Sequence, residues 1–166
     1  MQTIGVGVCL LVVRDKKLLV AERTNEFGKG YLACPGGHQE KSETWEQTAN
    51  RELVEEVGPS IKIELKPNTY PNIRSESNIP IFVTNNVLSN TTHYVTIWLR
   101  AVWLAGEAIN AEPSKKKEWV WMTLDEIIDD PRMRLGKEAW IGGTFHDALH
   151  WLPLPELYKH RNKLAL

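Results

Sequence analysis

Residues 36–58, GGHQEKSETWEQTANRELVEEVG, constrain this chain more than any other stretch. Apolar side chains at Trp45, Ala49, Leu53 and Val57 recur every four residues, so the spacing predicts an amphipathic helix from about Glu43 to Val57. Gly58-Pro59 stops it. The same helix carries Glu52, Glu55 and Glu56, which fall within a sector of roughly 100°. That sector borders the apolar stripe, whereas a merely solvated acidic face would lie opposite it. At i,i+3 and i,i+4 the like charges destabilise an isolated helix. Arg51, at i,i+4 from Glu55, is the one local positive partner that the spacing offers. Crowded carboxylates beside a buried side call for a counter-ion, and a hard divalent cation such as Mg²⁺ takes carboxylate oxygens while keeping waters for a substrate. Gly36-Gly37, just upstream, allows a bare carbonyl close to a metal or a phosphate. Glu43 suits the positive end of the helix dipole and can brace the loop.

The rest of the chain predicts the surroundings of this helix. Residues 3–13 (TIGVGVCLLVV) read as a buried strand, followed by a polar turn at 14–17 and a second strand from Leu18 to Glu22. Tyr31 to Cys34 form a short strand leading to the glycine pair, after a loop at 24–30. Ile61–Tyr70, Ile79–Leu88, Tyr94–Leu104 and Lys117–Met122 are β-rich, and Thr123-Leu-Asp-Glu126 is a capping box opening a helix near 124–130. The order predicts an α+β fold in which a mixed sheet lies between helices. At 166 residues the chain reads as a single domain, 1–166, with residues 131–166 as a divergent helix and loop tail. A net charge of −1 gives no electrostatic reason for binding nucleic acid or a membrane surface. Cys9 and Cys34 form no Cys-x-x-Cys pair, and the longest apolar stretch is too short for a bilayer. A reducing, cytoplasmic setting is expected. No Gly-x4-Gly-Lys-Ser/Thr sequence occurs, which excludes a P-loop nucleotidase.

Gly37, Glu43 and Arg51-Glu52-Leu53-Val54-Glu55-Glu56-Val57-Gly58 together resemble the Nudix box, Gly-x5-Glu-x7-Arg-Glu-U-x-Glu-Glu-x-Gly-U, where U is a bulky aliphatic. The one departure is Pro59 at the last aliphatic position, which bears on loop packing. Gly5-Val-Gly-Val-Cys9, Pro35-Gly-Gly-His38, His93-Tyr-Val-Thr-Ile97, Glu112-Pro113 and Trp119-Val-Trp121 extend the likeness. Over about residues 3–128 the chain is similar to the eukaryotic MutT-type nucleotide pyrophosphatases, the subgroup that includes the human thiopurine-nucleotide hydrolase. The resemblance implies a Nudix fold, an α/β/α sandwich with a mixed β-sheet. It implies hydrolysis of a nucleoside triphosphate, a purine one, with oxidised or otherwise modified purines included, to monophosphate and pyrophosphate with Mg²⁺ or Mn²⁺. By position, Glu52, Glu55, Glu56 and the Gly37 carbonyl would hold the metal. The general base would be one of the glutamates, and Arg51 would orient Glu55. A homodimer is the expected assembly.

Arg23, at the end of the second strand, is a candidate for phosphate, and Gly36 for close backbone approach. His38 and Thr96 are candidates on the substrate side, and Trp140 is the best candidate in the tail. Trp45, Trp119 and Trp121 read as packing residues, and Ser114-Lys-Lys-Lys117 as a solvated turn. Two rival functions stand beside this one. One is a Nudix enzyme cleaving another nucleoside diphosphate derivative or a prenyl diphosphate. The other is a Nudix-fold binding module without turnover, against which the intact glutamates argue.

Overall fold

The computed structural model describes residues 4–25, 28–66, 80–87, 93–132 and 152–166. In chain order its elements are β1 (Ile4–Arg14), β2 (Lys17–Glu22), β3 (Leu32–Ala33), β4 (Gly36–His38), α1 (Trp45–Val57), β5 (Lys62–Lys66), β6 (Phe82–Val87), β7 (His93–Ala105), β8 (Val120–Thr123), α2 (Leu124–Asp129) and α3 (Leu154–Leu164). The eight strands make one mixed sheet. At its centre β1 and β7 run parallel, in register from Ile4↔His93 to Val13↔Val102. The remaining pairings are antiparallel. β4 lies on the first half of β1, with Gly7 opposite His38, while β5 and β6 flank β7. β2 closes a hairpin onto β1 and carries β3 and β8.

Side chains alternate across a strand, and β1 uses both sides. Val8, Leu10 and Val12 pack with Ala49, Leu53 and Val57 of α1. Leu11 and Val13 pack with Leu124 and Ile127 of α2 and with Leu157 and Leu164 of α3. Helices therefore cover both faces of a mixed sheet, the α/β/α sandwich that the sequence predicts. Trp45, Trp119 and Trp121 join the α1-side cluster as packing residues.

Several boundaries differ from the sequence expectation. Helix α1 begins at Trp45 rather than Glu43, because Thr44 is the N-cap: its hydroxyl accepts from Gln47 N and the Gln47 side chain accepts from Thr44 N. Glu43 is thus freed for the loop. The glycine pair belongs to a strand, β4, laddered to Val8 and Cys9. β8 starts at Val120 rather than Lys117, since its ladder with β2 begins at Val20↔Val120. Of the expected tail, residues 154–164 are helical. Trp140 lies outside the described residues. No helix among the described residues is long and apolar enough to cross a membrane.

Candidate active site

The local sequence of α1 sets up a hub around Arg51. Its Nε and Nη2 donate to the two oxygens of Glu43 at 2.8 and 3.0 Å, a two-pronged contact that suits the planar guanidinium. Nη1 donates to Glu52 Oε1 at 2.8 Å and to Glu55 Oε2 at 3.2 Å, and Nη2 also reaches the His38 carbonyl at 2.9 Å. Glu43 in turn accepts from Glu40 N and the Thr48 hydroxyl. Arg51 and these donors hold its carboxyl down at about 2. One guanidinium thereby ties the start of α1, two box glutamates and the end of β4 together.

Glu52 and Glu56 point to the buried side, at 9% and 5% exposure, while the side chain of Glu55 is half exposed. Burial raises the Glu52 carboxyl above its ordinary value; Arg51 opposes this and the neighbouring glutamates add to it. The Glu52 carboxylate lies against Gly37, where a Cβ would sit 2.2 Å from Oε1. Position 37 must be glycine for Glu52 to be there. Glu56 Oε2 accepts from Gly36 N at 2.9 Å.

These groups border a cavity of about 490 Å³. Its floor includes Gly7 and Cys9, which by alternation share the side of β1 that carries Leu11 and Val13. Arg23, Gly36, Gly37, His38, Glu52, Glu56 and Thr96 all line it. Glu55 and Arg51 do not; they stand behind the lining, on the Glu43 side. Burial pulls the Arg23 guanidinium below its ordinary value, with Glu56 opposing that shift, and burial pushes the Cys9 thiol up to about 12. Across the cavity, Thr96 Oγ1 accepts from Asn86 Nδ2 at 2.8 Å. The Tyr94 ring lies 5.1 Å from the His38 ring and packs where Gly5 has no side chain.

Sequence reasoning missed several lining residues: Asn86, Tyr94, Lys115 and, above all, Lys116. Tyr94 was within reach of alternation, since it shares a strand face with Thr96. Lys116 corrects two expectations. The 114–117 run is not simply a solvated turn, because Lys116 is 2% exposed and its Nζ is ion-paired with Glu56 Oε1. Arg51 is therefore not the sole cation serving the box glutamates. The reason lies in long-range pairing. Lys116 bridges to Arg23, Thr24 N donates to the Lys115 carbonyl, and Lys117 N donates to the Glu22 carbonyl. This stitching turns one lysine of three inward.

Among the described residues no three His, Cys, Asp or Glu side chains converge as a ready metal cage; the carboxylates are gathered around Arg51 and Lys116 instead. Four carboxylates, Glu43, Glu52, Glu55 and Glu56, are nonetheless directly paired with two side-chain cations. The second oxygens of Glu52 and Glu55 make no hydrogen bond among the described residues. Carboxylate oxygens are the donor chemistry that suits a hard cation.

The family profile described as the NUDIX domain matches residues 1–142, and the chain belongs to that family. Nudix hydrolases act on nucleotide-type substrates and use divalent metal ions. A MutT NUDIX hydrolase from Burkholderia pseudomallei is similar in structure, with 27% identity, 74% of this chain and 85% of that chain covered, and a TM-score of 0.60. A NUDIX hydrolase from Nitrosomonas europaea shares the fold at 18% identity, covering 98% of this chain and 73% of that one, with a TM-score of 0.63. A curated relative, the ADP-ribose pyrophosphatase of Methanocaldococcus jannaschii, is 41% identical over 60 residues, or 35% of this chain. The chain spans 36% of that relative's length.

Proposed function

We propose that the cavity hydrolyses a phosphoanhydride of a purine nucleoside triphosphate, yielding monophosphate and pyrophosphate with Mg²⁺ or Mn²⁺. The observation that supports this most is the shared cavity. Two chemical sets of groups line it: buried box carboxylates, the glycine backbone and Arg23, and the side chains of Thr96, Asn86, His38 and Tyr94. The first set suits a charged polyphosphate and the second a base with polar edges and a flat face. In this reading Glu52, Glu55, Glu56 and the Gly37 carbonyl hold the ion. When bound, the ion neutralises phosphate charge and lowers the pKa of a coordinated water. Arg23 binds a phosphate oxygen, and Gly36 lets the chain approach closely. One of the box glutamates takes the proton of the attacking water. Arg51 acts on the reaction by holding Glu52 and Glu55 in place. His38 and Thr96 contact the base.

A second reading has one specific support, the likeness to an ADP-ribose pyrophosphatase: cleavage of a nucleoside diphosphate joined to a sugar. A panel of purine and pyrimidine triphosphates, ADP-ribose, nucleotide sugars and dinucleotides, assayed with Mg²⁺ and with products identified, separates the two. A kcat/KM at least about tenfold higher for ADP-ribose or a nucleotide sugar would replace the first reading. Glu55→Gln and Glu56→Gln, each still folded, are expected to lose most activity. Near-normal turnover in both at saturating Mg²⁺ would overturn either reading.

A further inference from the structure

Lys116 has no part in the reading above, yet it is more deeply buried than any of the box glutamates. Its ammonium is ion-paired with Glu56 Oε1 and makes no hydrogen bond among the described residues. It lies 4.9 Å from the centroid of the Trp119 ring. Trp119 in turn donates from Nε1 to the Glu56 carbonyl at 3.0 Å, so one indole braces both partners. Asn110 Nδ2 holds the Lys116 carbonyl at 2.7 Å. The remaining Glu56 oxygen is taken by Gly36 N. Both Glu56 oxygens thus have partners within the protein, whereas Glu52 and Glu55 each keep one oxygen without a hydrogen bond among the described residues.

A buried carboxylate needs a counter-charge, and a fixed ammonium supplies it without any metal. The same positive charge repels a divalent ion that approaches Glu56. We propose that Lys116 is a built-in cation that competes with a divalent metal ion for Glu56. The protein then folds with its acidic site already partly neutralised. Divalent ions bind first where Glu52 and Glu55 have open oxygens, and they engage Glu56 only by displacing the ammonium. This inference rests on the metal-binding reading of the glutamates.

The test is Mn²⁺ binding to the full chain, followed by calorimetry and by electron paramagnetic resonance, with melting temperature measured without metal and at saturating Mn²⁺. Wild type is compared with Lys116→Met, which keeps the length of the side chain and removes its charge. Lys116→Met is expected to bind Mn²⁺ about tenfold more tightly, or to bind one further ion, because a like charge a few ångströms away has gone. Without metal it should melt lower than wild type, and Mn²⁺ should restore more of its stability than it adds to wild type. Should Lys116→Met fail to fold, the double variant Glu56→Gln/Lys116→Met, which removes both charges, carries the test. It is expected to fold and to show no gain in Mn²⁺ affinity, and a tenfold gain there would overturn the proposal. So would unchanged Mn²⁺ affinity and stoichiometry in Lys116→Met. Weaker pyrophosphate binding with unchanged Mn²⁺ binding would make Lys116 a phosphate ligand and overturn it equally. If wild type itself binds no Mn²⁺, the metal reading fails first, so the two failures are distinguishable.

Discussion

Two adjacent glycines offer a sharp separation of scaffold from chemistry. At Gly37 an added Cβ would lie 2.2 Å from Glu52 Oε1, while ordinary contact begins near 3.4 Å, a shortfall of about 1.2 Å. The obstructing atom is the end of a flexible side chain, so the backbone can stay and the carboxylate must move by about an ångström. At Gly36 the Cβ would meet backbone instead, 2.3 Å from the Val8 carbonyl oxygen and 2.8 Å from Cys9 Cα, at a φ of +152°. There the β1–β4 ladder itself must open. Gly37→Ala is therefore expected to cost about 1–2 kcal/mol as a modest overpacking, or roughly 2–8 °C in melting temperature for a chain of this size. Its kcat should fall about 100-fold, the usual consequence of misplacing a reacting group by an ångström. Gly36→Ala should cost more than about 3 kcal/mol and reduce soluble yield. Thermal melts with steady-state kinetics on soluble protein read both effects. If Gly37→Ala keeps wild-type kcat, Glu52 is not required where it now lies and the site reading fails. If it melts as low as Gly36→Ala, the displaced group is backbone and the argument from side-chain flexibility is wrong.

Leu53, at 3% exposure in the α1-side core, should behave in the opposite way: Leu53→Ala costs roughly 2–5 kcal/mol in denaturant titration with kinetics of the remaining folded protein unchanged. Glu43 has its carboxyl held at about 2, first by Arg51 and then by the Glu40 N–H, against an ordinary value of 4.5. A depressed carboxyl adds stability above its unfolded value and loses it on acidification. The urea midpoint of wild type should therefore fall between pH 4.5 and about 2, and Glu43→Gln should flatten that limb; parallel curves would refute the Arg51 hub as its cause. Thr96→Ala should raise KM or change base preference at a stability cost below about 1.5 kcal/mol, and a large loss of melting temperature with normal kinetics would return Thr96 to the scaffold.

Much of this molecule was legible in order along the chain, because the signals are local. The four-residue recurrence from Trp45 to Val57 is a property of one helix, and it placed α1 and its glutamates. Thr123 and Glu126 lie three residues apart, so their capping box marked α2 without any tertiary knowledge. The apolar run 3–13 announced a buried strand, and the order of elements announced a layered α+β fold. What lay beyond reach was decided by registers between distant segments. Whether Thr96 faces the cavity depends on its lying opposite Gly7 across the β1–β7 ladder. Asn86 reaches Thr96 only because β6 pairs with β7. The 115–117 lysines are chemically alike, yet the bridge of Lys116 to Arg23 and the hydrogen bonds on either side of it bury that one and leave its neighbours exposed. Local periodicity fixes which side chains share a face of one helix or strand. Which charge meets which across the fold depends on how the sheet pairs and what it then shields from water, and the partnership of Glu56 with Lys116 came from that alone.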